Sequence, residues 1–209
     1  TTWNSTNADV NWGDSTLYAS LNGSGFLTNA TYDYLQNTTW SNKIENWTWS
    51  AVETKTFYVY GNGPNYENLT PSQIYLHEMN RSTKTSTVGK WTNPTAKIGL
   101  MYVSDYALSL GSSALAMTGS TLANQTSLKT GWMNQSNNDT TNNIMEWTLS
   151  RLGDSKAGYL HAWYVWNDGR VLHGKTTYSG AARPVFYLTT DTKVSSGAGS
   201  LENPFIIEE

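Results

Sequence analysis

EWTLSR (146–151), AWYVWNDGRV (162–171) and AARPVFYL (181–188) follow one another late in the chain and decide how it is read. They gather Trp147, Trp163, Tyr164, Trp166, Phe186 and Tyr187, with Tyr178 between them, around Arg151, Asp168, Arg170 and Arg183. β-Branched and aromatic residues suit a pleated, half-buried surface. Asn167-Asp168-Gly169 interrupts them with the residue types that a tight turn takes. The stretch predicts a β-hairpin whose polar and aromatic side chains face outward. Trp163 and Trp166 are three apart, so a strand sends them to opposite faces. One is expected in the core, and Trp166 is expected outward.

At 209 residues the chain is long enough for one sizeable core, and a single domain over 1–209 is expected. A net charge of -3, a charged fraction of 14% and the lack of any Lys/Arg run argue against nucleic acid or an anionic membrane as partner. The 10 Trp and 13 Tyr predict a core of aromatic rings rather than Leu/Ile layers, under a neutral surface of Thr, Ser and Asn. With Cys 0, disulfides, thiolate metal sites and thiol nucleophiles are excluded. That absence, with this composition, points to an extracellular bacterial protein. Asn-x-Ser/Thr triplets such as those at Asn4 and Asn22 follow from the Asn, Ser and Thr content and are a weak sign of glycosylation. No apolar run reaches the ~20 residues of a membrane span, and the start at Thr1 is read as that of a trimmed ectodomain.

Along the chain, DSTLYASL (14–21) predicts a short amphipathic helix ended by Asn22-Gly23, and 28–35 a second. WTWSAV (47–52) and TFYVY (56–60) alternate in the strand manner. The 61–94 segment reads as loop with one helical turn near 73–78. KIGLMYVSDY (97–106) predicts a central buried strand entering a helix or loop at Ser104-Asp105. A long loop is expected over 109–143, and a terminal strand at the C-terminus is expected to pair near the N-terminal one.

Little in the sequence supports catalysis. His77, His161 and His173 form no i, i+4 pair and lie near no acid at metal-ligand spacing, so no metal site is expected. His161 and His173 are expected to face each other or the solvent across the hairpin. Gly61-Asn62-Gly63 lacks the surroundings of a nucleotide loop, and no G-x-S-x-G is present. Asp105, Glu146, Asp154 and Asp168 offer carboxylate pairs only as any acid-bearing chain does. Neither an enzyme nor a cofactor is expected. Glu146 and Arg151 are expected to form a buried polar brace beneath the binding face, beside Trp147, with Arg183 a second brace.

EWTLSR, the AWYV-x-NDG-x-V hairpin and A-RPVFYL resemble the tail of bacterial surface proteins with a C-type-lectin fold. That superfamily includes the formylglycine-generating enzymes and the variable proteins of diversity-generating retroelements. NWGDSTLYASLNGSGF (11–26), KIGLMYVSDYAL (97–108) and GAGSLENPFIIE (197–208) fit the same group. The resemblance implies a compact α+β domain, with two short helices flanking a small twisted antiparallel sheet, long irregular loops, and a binding face on the hairpin at 156–188. It implies outward, ligand-contacting positions at Tyr159, His161, Trp163, Trp166, Arg170, His173, Lys175 and Tyr178. The metal-binding cysteines of the formylglycine-generating enzymes have no counterpart here, so that activity is not carried over. Calcium, used by many lectins of this fold, would need an oxygen cluster such as Asn137-Asn138-Asp139 could offer.

The expectation is a non-enzymatic ligand-binding or adhesion domain, displayed on a bacterial cell surface, that recognises a protein or glycan. The alternative is a structural subunit of a pilus-like surface filament that self-associates through an edge strand at 1–11 or 205–209.

Overall fold

The computed structural model describes residues 1–5, 12–23, 38–50, 53–54, 66–79, 93–124, 145–152, 161–200 and 202–208. Tyr159, the expected helix at 28–35, the expected strand at 56–60 and the 137–139 loop lie outside the described residues.

Five short helices are described: α1 (Thr16–Asn22), α2 (Thr38–Lys43), α3 (Pro71–Met79), α4 (Val103–Ser109) and α5 (Gly119–Asn124). Each is too short to be stable alone, and side chains fix the ends of several. In α1 the Ser15 hydroxyl accepts from the Tyr18 amide at 3.0 Å, leaving Asp14 in the 3-10 turn Trp12–Asp14 that precedes the cap. Asn22 at the other end donates to the Ile98 carbonyl at 2.8 Å and accepts from the Ile98 amide at 2.9 Å, tying α1 to the 97–100 segment. α3 has more than the single turn expected, because Thr70-Pro71-Ser72-Gln73 is a capping box with proline in the first turn. The Thr70 amide donates to Gln73 Oε1 at 2.9 Å, and the Gln73 amide donates back to Thr70 Oγ1 at 3.4 Å. At the start of α4, Asp105 accepts from the Tyr102 amide at 2.8 Å. The stretch expected to be one long loop at 109–143 holds α5 and a 3-10 turn at Ser112–Ala116.

The strands are β1 (Trp47–Thr48), β2 (Glu53–Thr54), β3 (Thr95–Ala96), β4 (Gly99–Leu100), β5 (Glu146–Leu152), β6 (His161–Val165), β7 (Val171–Lys175), β8 (Ala181–Ala182), β9 (Pro184–Val185), β10 (Val194–Ser196) and β11 (Ile206–Ile207). The main sheet runs β2-β5-β6-β7, with β8 also on β5. It is mixed rather than wholly antiparallel: β5 pairs antiparallel with β6 but parallel with β2 and β8. Between Trp147↔Tyr164 and Arg151↔Ala162 the register shifts, because β5 advances four residues while β6 advances two. The displaced groups of β5 bond elsewhere. The Leu149 amide donates to the Met101 carbonyl at 2.8 Å, and the Trp3 indole donates to the Thr148 carbonyl at 3.2 Å.

All seven residues of β5 are buried, because aromatic-rich cores cover both faces of the sheet. One holds Trp3, Trp12, Trp49 and Trp147 with Leu17, Ile98 and Leu100; the other holds Tyr66, Tyr106, Trp163, Val165 and Val171 with Ile74 and Leu122. The expected aromatic core is therefore present; of the central strand expected in 97–106 only β4 forms, buried but paired with β9 outside the main sheet, and α4 starts at Val103. At ~2–3 kcal/mol for each large apolar side chain removed from water, these rings are the main favourable term. The terminal strand does not pair near the N-terminus: β11 pairs with β10, whereas Thr2 bridges to Ser179 and the Asn4 amide donates to the Thr176 carbonyl at 3.0 Å. Residues 1–4 thus lie against the 176–180 segment and offer no free edge there. No helix among the described residues is long and apolar enough to cross a membrane.

Candidate ligand-binding face

The turn at 167–169 closes the hairpin as its sequence dictates. The Gly169 amide donates to the Trp166 carbonyl at 2.9 Å, the Trp166 amide donates to the Arg170 carbonyl at 2.8 Å, and Gly169 takes φ 87. A three-residue hairpin loop needs its last position left-handed, which glycine adopts without strain. Asp168 then accepts from both the amide and the Nε of Arg170, at 3.1 and 2.7 Å, so the guanidinium is held over the turn.

From this turn the register runs Val165↔Val171, Tyr164↔Leu172, Trp163↔His173, Ala162↔Gly174 and His161↔Lys175. Strand alternation then sorts the predicted ligand contacts onto two faces. His161, Trp163, His173 and Lys175 share one; Trp166 and Arg170, flanking the turn, fall with Tyr164 on the other. Tyr178 follows β7 and lies over the second face, against Gly174. The single outward face expected from the sequence is corrected to two, each partly covered by core.

Trp163 is not outward. It is 4% exposed and stacks on Tyr66 with ring centroids 5.8 Å apart, since the helical layer carrying Tyr66, Ile74 and Tyr106 covers its face. Trp166 is only half-buried, as expected of the ring on the opposite face, yet it also packs on the core that contains Trp147.

The second face carries an aromatic ledge. Tyr164 stands edge-on to Trp147 at 5.7 Å and beside Trp166 at 5.9 Å. Gly174 sets the floor: a Cβ there would lie 3.0 Å from the Tyr164 ring and 3.3 Å from that of Tyr178, so both rings close over bare backbone. Tyr178 is 50% exposed. Burial raises the Tyr164 hydroxyl above the usual phenol range, with Arg170 opposing. Phenol rings, an indole edge and an oriented guanidinium suit stacking and hydrogen bonding.

On the first face His161 and His173 do face each other, one of the two arrangements expected: their Nδ1 atoms are 3.2 Å apart. His173 stands edge-on to Trp163 at 5.4 Å. Burial, then the neighbouring His173 and Lys175, holds His161 below the usual imidazole range, and burial does the same for His173.

The expected brace is present with a different partner. Glu146 is gripped by Arg183, whose Nε lies 2.8 Å from Oε1 as an ion pair and whose Nη2 donates to Oε2 at 2.9 Å. Arg151 sits near the far end of β5, opposite Ala162. Trp147 is fully buried, as a structural ring should be. Sequence reasoning missed Glu78, which is 0% exposed. It accepts from the Tyr66 hydroxyl at 3.1 Å, the Ser150 hydroxyl at 2.5 Å and the Ser104 amide at 3.1 Å. Burial pushes its carboxyl up to about 7, although the serine hydrogen bonds oppose this. Its neighbours His77 and Met79 carry no sign of this burial, and tertiary packing reveals it. Among the described residues no group of three or more His, Asp or Glu side chains is placed to hold one metal ion.

Compared with protein-family models, curated proteins and solved structures, the chain matches none.

Proposed function

We propose that this chain is a non-enzymatic recognition or adhesion domain of a bacterial cell surface, with a C-type-lectin-like arrangement of its α+β fold, that binds a protein or glycan ligand. The observation that carries the reading is the ledge of Tyr164, Trp166 and Tyr178 beside Arg170, closed over the bare backbone of Gly174. Exposed aromatic rings stack on apolar sugar faces and on peptide side chains, and a guanidinium fixed by Asp168 supplies directional donors at little entropic cost.

The test is a glycan and surface-protein array probed with the chain and its Tyr178→Ala variant, with and without calcium. Tyr178 is the test position because its ring is half exposed, so its loss leaves the core intact. Ligand binding lost at an unchanged melting temperature supports the reading; binding retained in the variant removes the ledge from it.

A second reading, a structural subunit of a surface filament, is favoured by the exposed apolar side chains of Val194, Phe205 and Ile206 on and beside β10 and β11. Their burial between protomers would hide an edge of two strands. Sedimentation that stays monomeric at high concentration counts against it.

A further inference from the structure

We infer that His161 and His173 form a two-imidazole chelate for a divalent transition-metal ion, on the sheet face opposite the aromatic ledge. His161 pairs with Lys175 and His173 with Trp163, so the two histidines are diagonal neighbours on one face of an antiparallel pair. Such positions are ~7–8 Å apart at Cα, within reach of long side chains. Their Nδ1 atoms converge to 3.2 Å. Two nitrogens each ~2.0–2.1 Å from a tetrahedral ion lie about 3.3 Å apart, so the observed spacing needs almost no adjustment to accept one.

The rings are positioned from behind. Trp163 stands edge-on to His173 at 5.4 Å and is itself stacked on the buried Tyr66. The two strands are joined by a short turn and keep register along their whole length, so the chelate is set by the sheet. At 3.2 Å the facing Nδ1 atoms cannot both carry hydrogen; at least one presents a lone pair, and an ion takes the place of the proton they share. Both side chains are half-buried rather than sealed, which leaves an entry path.

An all-imidazole donor pair selects zinc, nickel or copper over calcium or magnesium, which require oxygen. No third His, Asp or Glu among the described residues joins the pair. Among the described residues the remaining positions are left to water or to an external donor, and the Lys175 ammonium, opposite His161 in the register, favours an anionic one.

The experiment is a titration of the full chain with Zn2+, Ni2+ or Cu2+ in a non-chelating buffer at pH 7.5, following the imidazole nitrogens of all three histidines by NMR. We expect one ion per chain, with His161 and His173 responding together and His77 unmoved. His161→Asn and His173→Asn should each weaken binding at least tenfold and abolish the rise in melting temperature that Zn2+ gives the unmodified chain. Response of His77 alone, or of one hairpin ring without the other, overturns the assignment; the NMR readout on the unmodified chain decides even if a variant fails to fold. The outcome is independent of the ledge, since Tyr178→Ala leaves this face untouched.

Discussion

Arg183 closes on Glu146 through an ion-pair contact of 2.8 Å from Nε to Oε1 and a hydrogen bond of 2.9 Å from Nη2 to Oε2, joining the segment between β8 and β9 to the start of β5. The carboxylate is nearly buried, with 4% of its side chain exposed, while the arginine side chain keeps 26%. Replacing Arg183 by Met should therefore destabilise the fold by about 2–4 kcal/mol, because it strands a desolvated carboxylate. Replacing both residues together, as Glu146→Gln with Arg183→Met, should recover a large part of the loss. Urea denaturation of the unmodified chain, each single variant and the double variant checks this, and additive losses would show that the pair is not coupled.

Glu78 gives the fold a pH dependence of definite sign. Its carboxyl is raised from 4.5 to about 7 by burial, so the folded chain binds more protons than the unfolded one across that interval. Stability contributed by this group falls as pH rises from about 4.5 to about 7 and is constant above, a change on the order of 3 kcal/mol. His161 and His173 act oppositely: held below 6.5 when folded, they make stability rise as pH passes through the range where the unfolded rings lose their protons. Comparing the unmodified chain with Glu78→Gln at pH 5 and pH 8 isolates the carboxyl. The stability difference between the two proteins should change with pH by that amount, and a pH-independent difference would count against the buried carboxyl as its source.

Gly99 is required by packing rather than by a turn. A Cβ there would sit 2.3 Å from the Trp49 ring, which is fully buried and anchored by its indole N–H to the Ala96 carbonyl at 2.9 Å. Gly99→Ala should cost about 3 kcal/mol through overpacking, read by urea denaturation together with the near-ultraviolet signal of the displaced indole.

Two aromatic residues of the hairpin region should separate cleanly. Trp163→Ala should lose about 3–5 kcal/mol, as emptying a large core site does. Tyr178→Ala should lose less than about 1 kcal/mol, as surface changes do. Equal losses would refute the division of the hairpin into a core-covered face and a ledge.

The hairpin was legible because its information is local. Asn167-Asp168-Gly169 specifies the turn, the turn fixes the register, and the register brings His161 to His173. Ser15 and the Thr70/Gln73 pair are equally local, and the cap of α1 falls one residue after the Asp14 start that the sequence suggests. The site was less legible. Period-two alternation tells which residues share a face but not what covers it, so Trp163 could not be recognised as the partner of Tyr66, nor Trp166 as partly enclosed. The Arg183 grip on Glu146 and the burial of Glu78 by Tyr66, Ser104 and Ser150 link positions far apart in the chain, and no local pattern marks them.

The sequence by itself determined the α+β class, the aromatic character of the core and the turn that pairs β6 with β7, because composition and short-range backbone preference act without regard to the rest of the chain. Tertiary structure alone decided that β5 has parallel as well as antiparallel neighbours, that both faces of the sheet are covered, and that the ledge and the histidine pair lie on opposite sides. Those outcomes depend on which distant segments dock on each face, and docking is settled by the burial of surface summed over the whole molecule.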